Sequence, residues 1–206
     1  MPQYTKNPPL RKADLAADPL VQLERWLTDA QNAGMIEPTA MTLATANRAG
    51  RPSARVVLFK GFHDGGLTFY TSHAGRKARE LAENPHVALV FWWDRLERQV
   101  RIEGLAERLP RELAQQYFAR RPRESQLGAL TSRQSEVVAS REELDRRYEE
   151  NAARYAGRDV PLPEHWGGYL VRPHTVEFWQ GRAGRLHDRL RYRRENTLWL
   201  IERLEP

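Results

Sequence analysis

Between residues 41 and 72 the chain alternates short β-forming runs with turn signals, and that rhythm constrains the fold more than any other feature. "MTLATA" (41–46) is followed by "NRAG" (47–50), and "SARVVLFK" (53–60) and "GLTFYTS" (66–72) flank "FHDGG". Val- and aromatic-rich runs broken by Gly and Asn are the pattern of antiparallel hairpins. "HVALVFWWD" (86–94) and "RQVRIEGLAERL" (98–109) supply two further strands. "YLVRPHTVEFWQ" (169–180), the arginine-rich stretch after it and "NTLWLIERL" (196–204) are expected to close the sheet.

Helical signals sit between and outside these runs. Asp18 is placed to cap a helix with Pro19 at its first position; Leu20, Leu23, Leu27 and Ala30 follow at helical spacing, and Gly34 can end it. "SHAGRKARELAENP" (72–85) reads as a short helix stopped by Asn84-Pro85. Pro110 opens a second helical region with Leu113, Tyr117 and Phe118 on one side. Ser140 and Glu143 form a capping-box pattern before "LDRRYEENAARY". "VPLPEHWGG" (160–168) reads as a rigid connector. Residues 1–17, polar and Pro-rich, read as an arm. The expected architecture is a mainly antiparallel β fold closed into a small barrel, with peripheral helices. The 206 residues suit one domain over 18–206, elaborated by helices at about 110–156.

Composition narrows the chemistry. There is no cysteine, so disulfides, thiolate metal sites and thiol nucleophiles are excluded. No run of 18 apolar residues and no leader pattern is present, which implies a cytoplasmic protein without membrane association. The net charge is +6, and of 33 basic residues only four are Lys. Arg suits bidentate phosphate and carboxylate contacts, yet it also lies over aromatic surface. The 27 acidic residues are interspersed with the basic ones, which argues against a nucleic-acid face. Neither a P-loop nor a dinucleotide fingerprint occurs, and no His/Asp/Glu cluster has metal-ligand spacing.

Four stretches could carry chemistry. In "RVVLFK", regular alternation puts Arg55 and Lys60 on opposite faces, with Lys60 on the apolar face of Ala54, Val56 and Leu58; the plainer reading is that Lys60 marks the strand end. "YTSHAGRK" (70–77) runs from a strand end into a helix start, where free N–H groups, Arg76, Lys77 and the Thr71 and Ser72 hydroxyls suit a phosphate. An ordinary Ser- or Thr-capped helix fits equally well. "YFARRPRESQLG" spaces Tyr117, Arg121 and Ser125 four apart, so a tight turn at Pro122 would converge a phenol, a guanidinium and a hydroxyl on one anion. "GRLHDR" (184–189) places Arg185, His187 and Arg189 on one face if it is a strand; His187 is then a base, a hydrogen-bond partner or a structural residue.

In this order, "RVVLFK", "FYTS…GRKA", "LERQVRIEG", "YFARRPRESQLGA", "RQSEVV", "VPLPEHWGGY" and "VEFWQGRAGRLHDR" resemble the pyridoxine (pyridoxamine) 5′-phosphate oxidase family over nearly the whole chain. The resemblance implies a homodimeric split barrel holding FMN at the subunit interface. It also implies oxidation of pyridoxamine or pyridoxine 5′-phosphate by oxygen to pyridoxal 5′-phosphate, with hydrogen peroxide released. Carried over, FMN contacts fall on Arg55, Val56, Val57, Leu58, Phe59, Lys60, Tyr70, Thr71, Arg76, Lys77, Gln99, Gln134, Ser135, Trp179 and Arg189. Substrate contacts fall on Lys60, Tyr117, Arg121, Ser125, Arg185, Leu186 and His187, with Arg185 and His187 as the catalytic pair. The family can carry an arginine-rich arm ending in Tyr; here only Met1, Pro2 and Gln3 precede Tyr4. Rival readings are another flavin oxidase on the same barrel, a nucleic-acid binder, and a pyridoxal 5′-phosphate carrier without turnover.

Overall fold

The structure is a computed structural model that describes residue 4 and residues 6–206; Met1, Pro2 and Gln3 of the expected arm lie outside the described residues. Nine strands form one antiparallel sheet. They are β1 (Ala40–Ala46), β2 (Pro52–Leu58), β3 (Phe62–His63), β4 (Gly66–Ser72), β5 (His86–Trp93), β6 (Arg98–Arg108), β7 (Trp166–Gln180), β8 (Asp188–Glu195) and β9 (Leu198–Arg203). Their order is β2-β1-β5-β6-β7-β4-β3, and β8 and β9 extend from β7. The sheet curls until the segment leading from β2 into β3 meets β4: Lys60 N donates to Thr68 O at 2.9 Å, and Thr68 N to Gly61 O at 2.9 Å. Curling shields backbone edges that an open sheet would leave unpaired.

Alternation along each strand fills the barrel. Met41 and Leu43 on β1, Leu89, Phe91 and Trp93 on β5, Val100 and Ile102 on β6, and Val171, Val176 and Phe178 on β7 are all buried. Helix α1 (Pro19–Asn32) lays Leu23, Trp26, Leu27 and Ala30 on this core, with Trp26 edge-on to Phe178 at 5.0 Å. Its start is set by Asp18, whose carboxylate accepts from Leu20 N at 2.7 Å, and Gly34 turns the chain away at φ +68°.

Strand β7 runs for 15 residues, and its two halves serve different neighbours. Residues 166–171 pair with β4, whereas 175–180 pair with β8. A register shift against β6 at Glu103/Gly104 lies between the two halves. There a Cβ on Gly104 would stand 2.3 Å from the Arg172 carbonyl oxygen, so only glycine fits the bulge. Helices α2 (Arg76–Glu83), α3 (Arg111–Ala119), α4 (Arg123–Thr131) and α5 (Arg141–Arg154) lie outside the barrel. Phe118, Leu127, Val160 and Trp166 form a smaller core beneath the last three.

Three local expectations need correction. Strand β2 ends at Leu58, so alternation does not reach Lys60; Ala54 and Val56 face outward, and Ser53, Arg55 and Val57 are half-buried. Ser140 does cap α5 by accepting from Glu143 N at 3.2 Å, but the Glu143 carboxylate engages Arg146 and Arg147. Residues 184–187 are a turn, not a strand: Gly184 and Arg185 both have left-handed backbones (φ +68° and +63°), and β8 begins only at Asp188. No helix among the described residues is long and apolar enough to cross a membrane.

Candidate active site

Two adjoining hollows open where the ends of β2 and β4 meet α2, α3 and α4. One, of about 260 Å³, is lined by Arg55, Val56, Val57, Leu58, Lys60, Tyr70, Thr71, Lys77, Tyr117, Arg121, Gln134 and Trp166. The other, of about 350 Å³, shares Tyr70, Thr71, Arg121, Gln134 and Trp166 with it and adds Ser125. Most of the residues expected to contact FMN or the substrate phosphate therefore surround one space.

Hydrogen bonds between elements hold this wall. Lys77, on the first turn of α2, is buried and donates to Thr71 Oγ1 at 3.0 Å and to Gln134 Oε1 at 2.6 Å. Burial, with Arg55 nearby, pushes its pKa below the ordinary lysine value. The cap of α2 is Gly75, without a side-chain bond, so the Ser- or Thr-capped helix is not formed. Instead Arg76 N donates to Ser135 Oγ at 3.1 Å, which brings Ser135 to the helix start. A Cβ at position 75 would stand 2.7 Å from Gln134 Oε1, so a glycine there admits the 134–135 loop. Phe59 is the exception on β2's continuation: its ring is buried against Phe62 and Phe91, which leaves only its backbone for a ligand.

The residues of the expected second phosphate cluster lie around the tight turn at Pro122. Arg121 N donates to Phe118 O at 3.1 Å, and α4 starts immediately afterwards. Tyr117 stacks on Tyr70 at 4.0 Å and nearly parallel, and Trp166 continues the stack at 5.7 Å from Tyr70. The Arg121 guanidinium lies over Trp166, 4.8 Å from the ring centroid. Its Nη1 is buried and takes no hydrogen bond among the described residues. Burial lowers the Arg121 pKa, which the Tyr117 phenol only partly offsets. A buried, unsatisfied cationic donor costs about 1–3 kcal/mol, and an anion would remove that cost.

The remaining expected residues lie elsewhere. Gln99, Trp179 and Arg189 are cross-strand neighbours on β6, β7 and β8. The His187 ring sits 4.6 Å from Trp179, and Tyr4 packs edge-on against both. His187 Nδ1 accepts from Arg182 N at 3.1 Å, so Nε2 carries the ring proton. Burial, and secondarily Arg185, lower its pKa, which favours the neutral ring. Arg189 is engaged by Glu177 at 2.9 and 3.0 Å and by Glu205 O at 2.8 Å. Leu186 is exposed. None of these residues lines the two hollows. Trp179 is 13 residues beyond Trp166 on β7, roughly 40 Å of strand contour. Within this chain the residues around Trp179 form a group apart from the hollows.

Sequence reasoning missed Trp166, which supports the stack and Arg121, and Glu80, which receives Arg55 and Arg76 at 3.2 and 2.8 Å. Trp166 was visible only as part of a connector. An Arg–Glu pair four apart on a helix is ordinarily a solvated pair.

Residues 27–154 match the family described as pyridoxamine 5′-phosphate oxidase, and residues 166–206 match the pyridoxine 5′-phosphate oxidase C-terminal dimerisation region. A pyridoxine/pyridoxamine 5′-phosphate oxidase of Rubrobacter xylanophilus is 58% identical over 92% of this chain and 87% of its own length. One from Salinibacter ruber is 54% identical over 96% and 93%. Among solved structures, PhzG from Burkholderia lata, in complex with tetrahydrophenazine-1-carboxylic acid, superposes with a TM-score of 0.92 at 33% identity, covering 98% of this chain and 100% of PhzG. A pyridoxamine 5′-phosphate oxidase-related, FMN-binding protein from Nostoc punctiforme has a TM-score of 0.74 at 17% identity, covers 88% of this chain and 96% of its own, and speaks to the fold alone.

Proposed function

The chain belongs to the pyridoxamine 5′-phosphate oxidase family of FMN-dependent oxidoreductases, and from that premise we propose that it oxidises pyridoxamine or pyridoxine 5′-phosphate to pyridoxal 5′-phosphate, with oxygen as the final acceptor and hydrogen peroxide released. The observation that carries this reading is the gathering of cationic and hydroxyl side chains around adjoining hollows: Arg55, Lys77, Tyr117 and Arg121 line one, and Arg121 and Ser125 line the other. Lys77, Arg55 and Arg76 with the 134–135 loop suit the FMN phosphate. Tyr117, Arg121 and Ser125 suit a second phosphate, and the buried Arg121 Nη1 without a partner gives that set its motive.

When bound, FMN supplies a two-electron acceptor that oxygen can reoxidise. This chain's residues bind and orient. The Arg121 set anchors the substrate phosphate, and that anchoring energy serves to place the reacting carbon. Lys60, exposed at the rim of the same hollow, is the cation we assign to the electron-rich edge of the reduced cofactor. Neutral His187, its Nε2 protonated, and Arg185 complete the site from the second group of residues.

We infer that another copy brings that group to the hollows. We therefore read the active unit as a homodimer, each site drawing residues 55–77 and 117–135 from one subunit and Gln99, Trp179 and residues 185–189 from its partner. The match of 166–206 to a dimerisation region supports this reading. So does Val56, an apolar residue 65% exposed on the outer face of β2. We take residues 18–206 as one functional unit, residues 1–17 as its arm, and the cytoplasm as its setting.

A second reading comes from the likeness to PhzG: a reduced tricyclic carboxylate as substrate. Steady-state peroxide release from the FMN-loaded protein separates the two. The expected result is turnover with pyridoxamine or pyridoxine 5′-phosphate and little with tetrahydrophenazine-1-carboxylic acid. The opposite preference would replace the first reading with the second.

A further inference from the structure

Glu80 lies outside both hollows, yet more of the phosphate pocket's cationic apparatus converges on it than on any other described side chain. It projects from α2 against β1 and β2, and its side chain is only 8% exposed. Oε2 accepts from Thr45 Oγ1 at 2.5 Å, Ser53 Oγ at 2.6 Å and Arg55 Nη2 at 3.2 Å. Oε1 accepts from Arg76 Nε at 2.8 Å. Thr45 and Ser53 also receive the Arg55 guanidinium. One carboxylate thus joins two arginines from different elements, one on β2 and one at the start of α2. Burial alone would raise its pKa, but the hydrogen bonds from Ser53, Thr45, Arg76 and Arg55 overcome burial and hold it down to about 2, so the charge is present at neutral pH.

We propose that Glu80 is a positioning residue for the cofactor phosphate, holding Arg55 and Arg76 in one orientation. The inference rests on the FMN reading above. The contribution is one of orientation. A free arginine loses side-chain freedom when it grips an anion, and an arginine already fixed by a buried carboxylate loses less. Arg76 engages Glu80 through Nε while its side chain remains 61% exposed, so its outer end stays open to solvent.

The test compares two ligands differing only in the phosphate. Apoprotein, wild type and Glu80→Gln, is titrated with FMN and with riboflavin, following quenching of flavin fluorescence. Wild type should prefer FMN strongly. E80Q preserves the shape and can still accept from Thr45 and Ser53, but the charge is gone. It should lower the FMN-to-riboflavin affinity ratio by about tenfold, the loss of one charge-assisted contact, with riboflavin binding little changed. A residue that merely packs α2 onto the barrel would weaken both ligands alike, and an unchanged ratio overturns the proposal. A raised ratio overturns it too, because the carboxylate would then only oppose the phosphate. If E80Q does not fold, Glu80→Asp keeps the charge but shortens the reach to both arginines; a lowered ratio supports the proposal and an unchanged one rejects it. Wild type with no preference for FMN would instead reject the cofactor reading itself, and this inference with it.

Discussion

Replacing Arg121 with Met should separate substrate binding from stability, because its two contributions to the ligand-free protein oppose each other. Met keeps much of the length and apolar stem but removes the charge. In the ligand-free protein the substitution relieves a buried Nη1 without a partner, worth about 1–3 kcal/mol. It also forfeits the cation–π contact over Trp166, worth about 0.5–2 kcal/mol. The net lies between a loss of about 1 and a gain of about 2.5 kcal/mol, so unfolding free energy should fall by no more than about 1 kcal/mol. With substrate, the variant lacks the charge-assisted phosphate contact, about 1.5–3 kcal/mol. At 1.4 kcal/mol per decade that is roughly a 10- to 150-fold rise in KM for pyridoxamine 5′-phosphate. FMN affinity should stay within about threefold, since the cofactor phosphate is assigned to the Lys77 set. The assays are urea denaturation of the apoprotein, flavin titration, and steady-state peroxide release. A large loss of stability with an unchanged KM would show that Arg121 is a structural cation and refute the reasoning. A loss of FMN affinity with an unchanged KM would reverse the assignment of the two phosphate sets.

Arg76→Ala should weaken FMN roughly tenfold or more and leave riboflavin nearly unaffected, measured by titration of the apoprotein; equal FMN affinity in both proteins would remove Arg76 from the site. Arg185→Ala should lower kcat/KM at least about tenfold with full FMN content retained. Arg193→Ala, whose exposed guanidinium pairs with Glu195 and Glu202, should change stability by no more than about 0.5 kcal/mol and leave turnover intact. Peroxide assays on both proteins check the contrast, and near-wild-type turnover by R185A would contradict it. Glu80, held at about 2 in the fold against an ordinary 4.5, contributes stability that is complete above pH 4.5 and lost as the pH falls towards 2. At about 1.4 kcal/mol per unit this is bounded at roughly 3 kcal/mol. Urea midpoints between pH 5 and pH 2.5 should fall more for wild type than for E80Q, and parallel curves would contradict the linkage.

The barrel was legible because most strands are short, alternate and end near a turn residue: Asn47 to Gly50, Asp64-Gly65 and Asn84-Pro85 all fall between elements. Alternation failed where backbone geometry breaks it. Lys60 lies two residues past the end of β2, and Gly184-Arg185 turns left-handed where a strand was expected. Periodicity carries no warning of either, because it assumes a regular backbone. Tyr117, Arg121 and Ser125 could be grouped by spacing, since the Pro122 turn proved tight. The distance between Trp166 and Trp179 could not be read, because it depends on both residues belonging to one long strand that changes partners at the Gly104 bulge. Glu80 was hidden for a related reason. Its partners Thr45, Ser53 and Arg55 come from β1 and β2, some 25–35 positions away, and only the closed barrel brings them under α2.

The proposed activity moves two electrons from a phosphorylated pyridine through FMN to oxygen. Mixing the yellow holoprotein anaerobically with pyridoxamine 5′-phosphate, following the flavin absorbance, and then admitting air separates the two halves of that transfer. Bleaching is expected without oxygen and recovery of the colour in air, with pyridoxal 5′-phosphate and hydrogen peroxide formed in equal amounts. A flavin that stays oxidised with both pyridoxamine and pyridoxine 5′-phosphate, in protein with full FMN content, would contradict it.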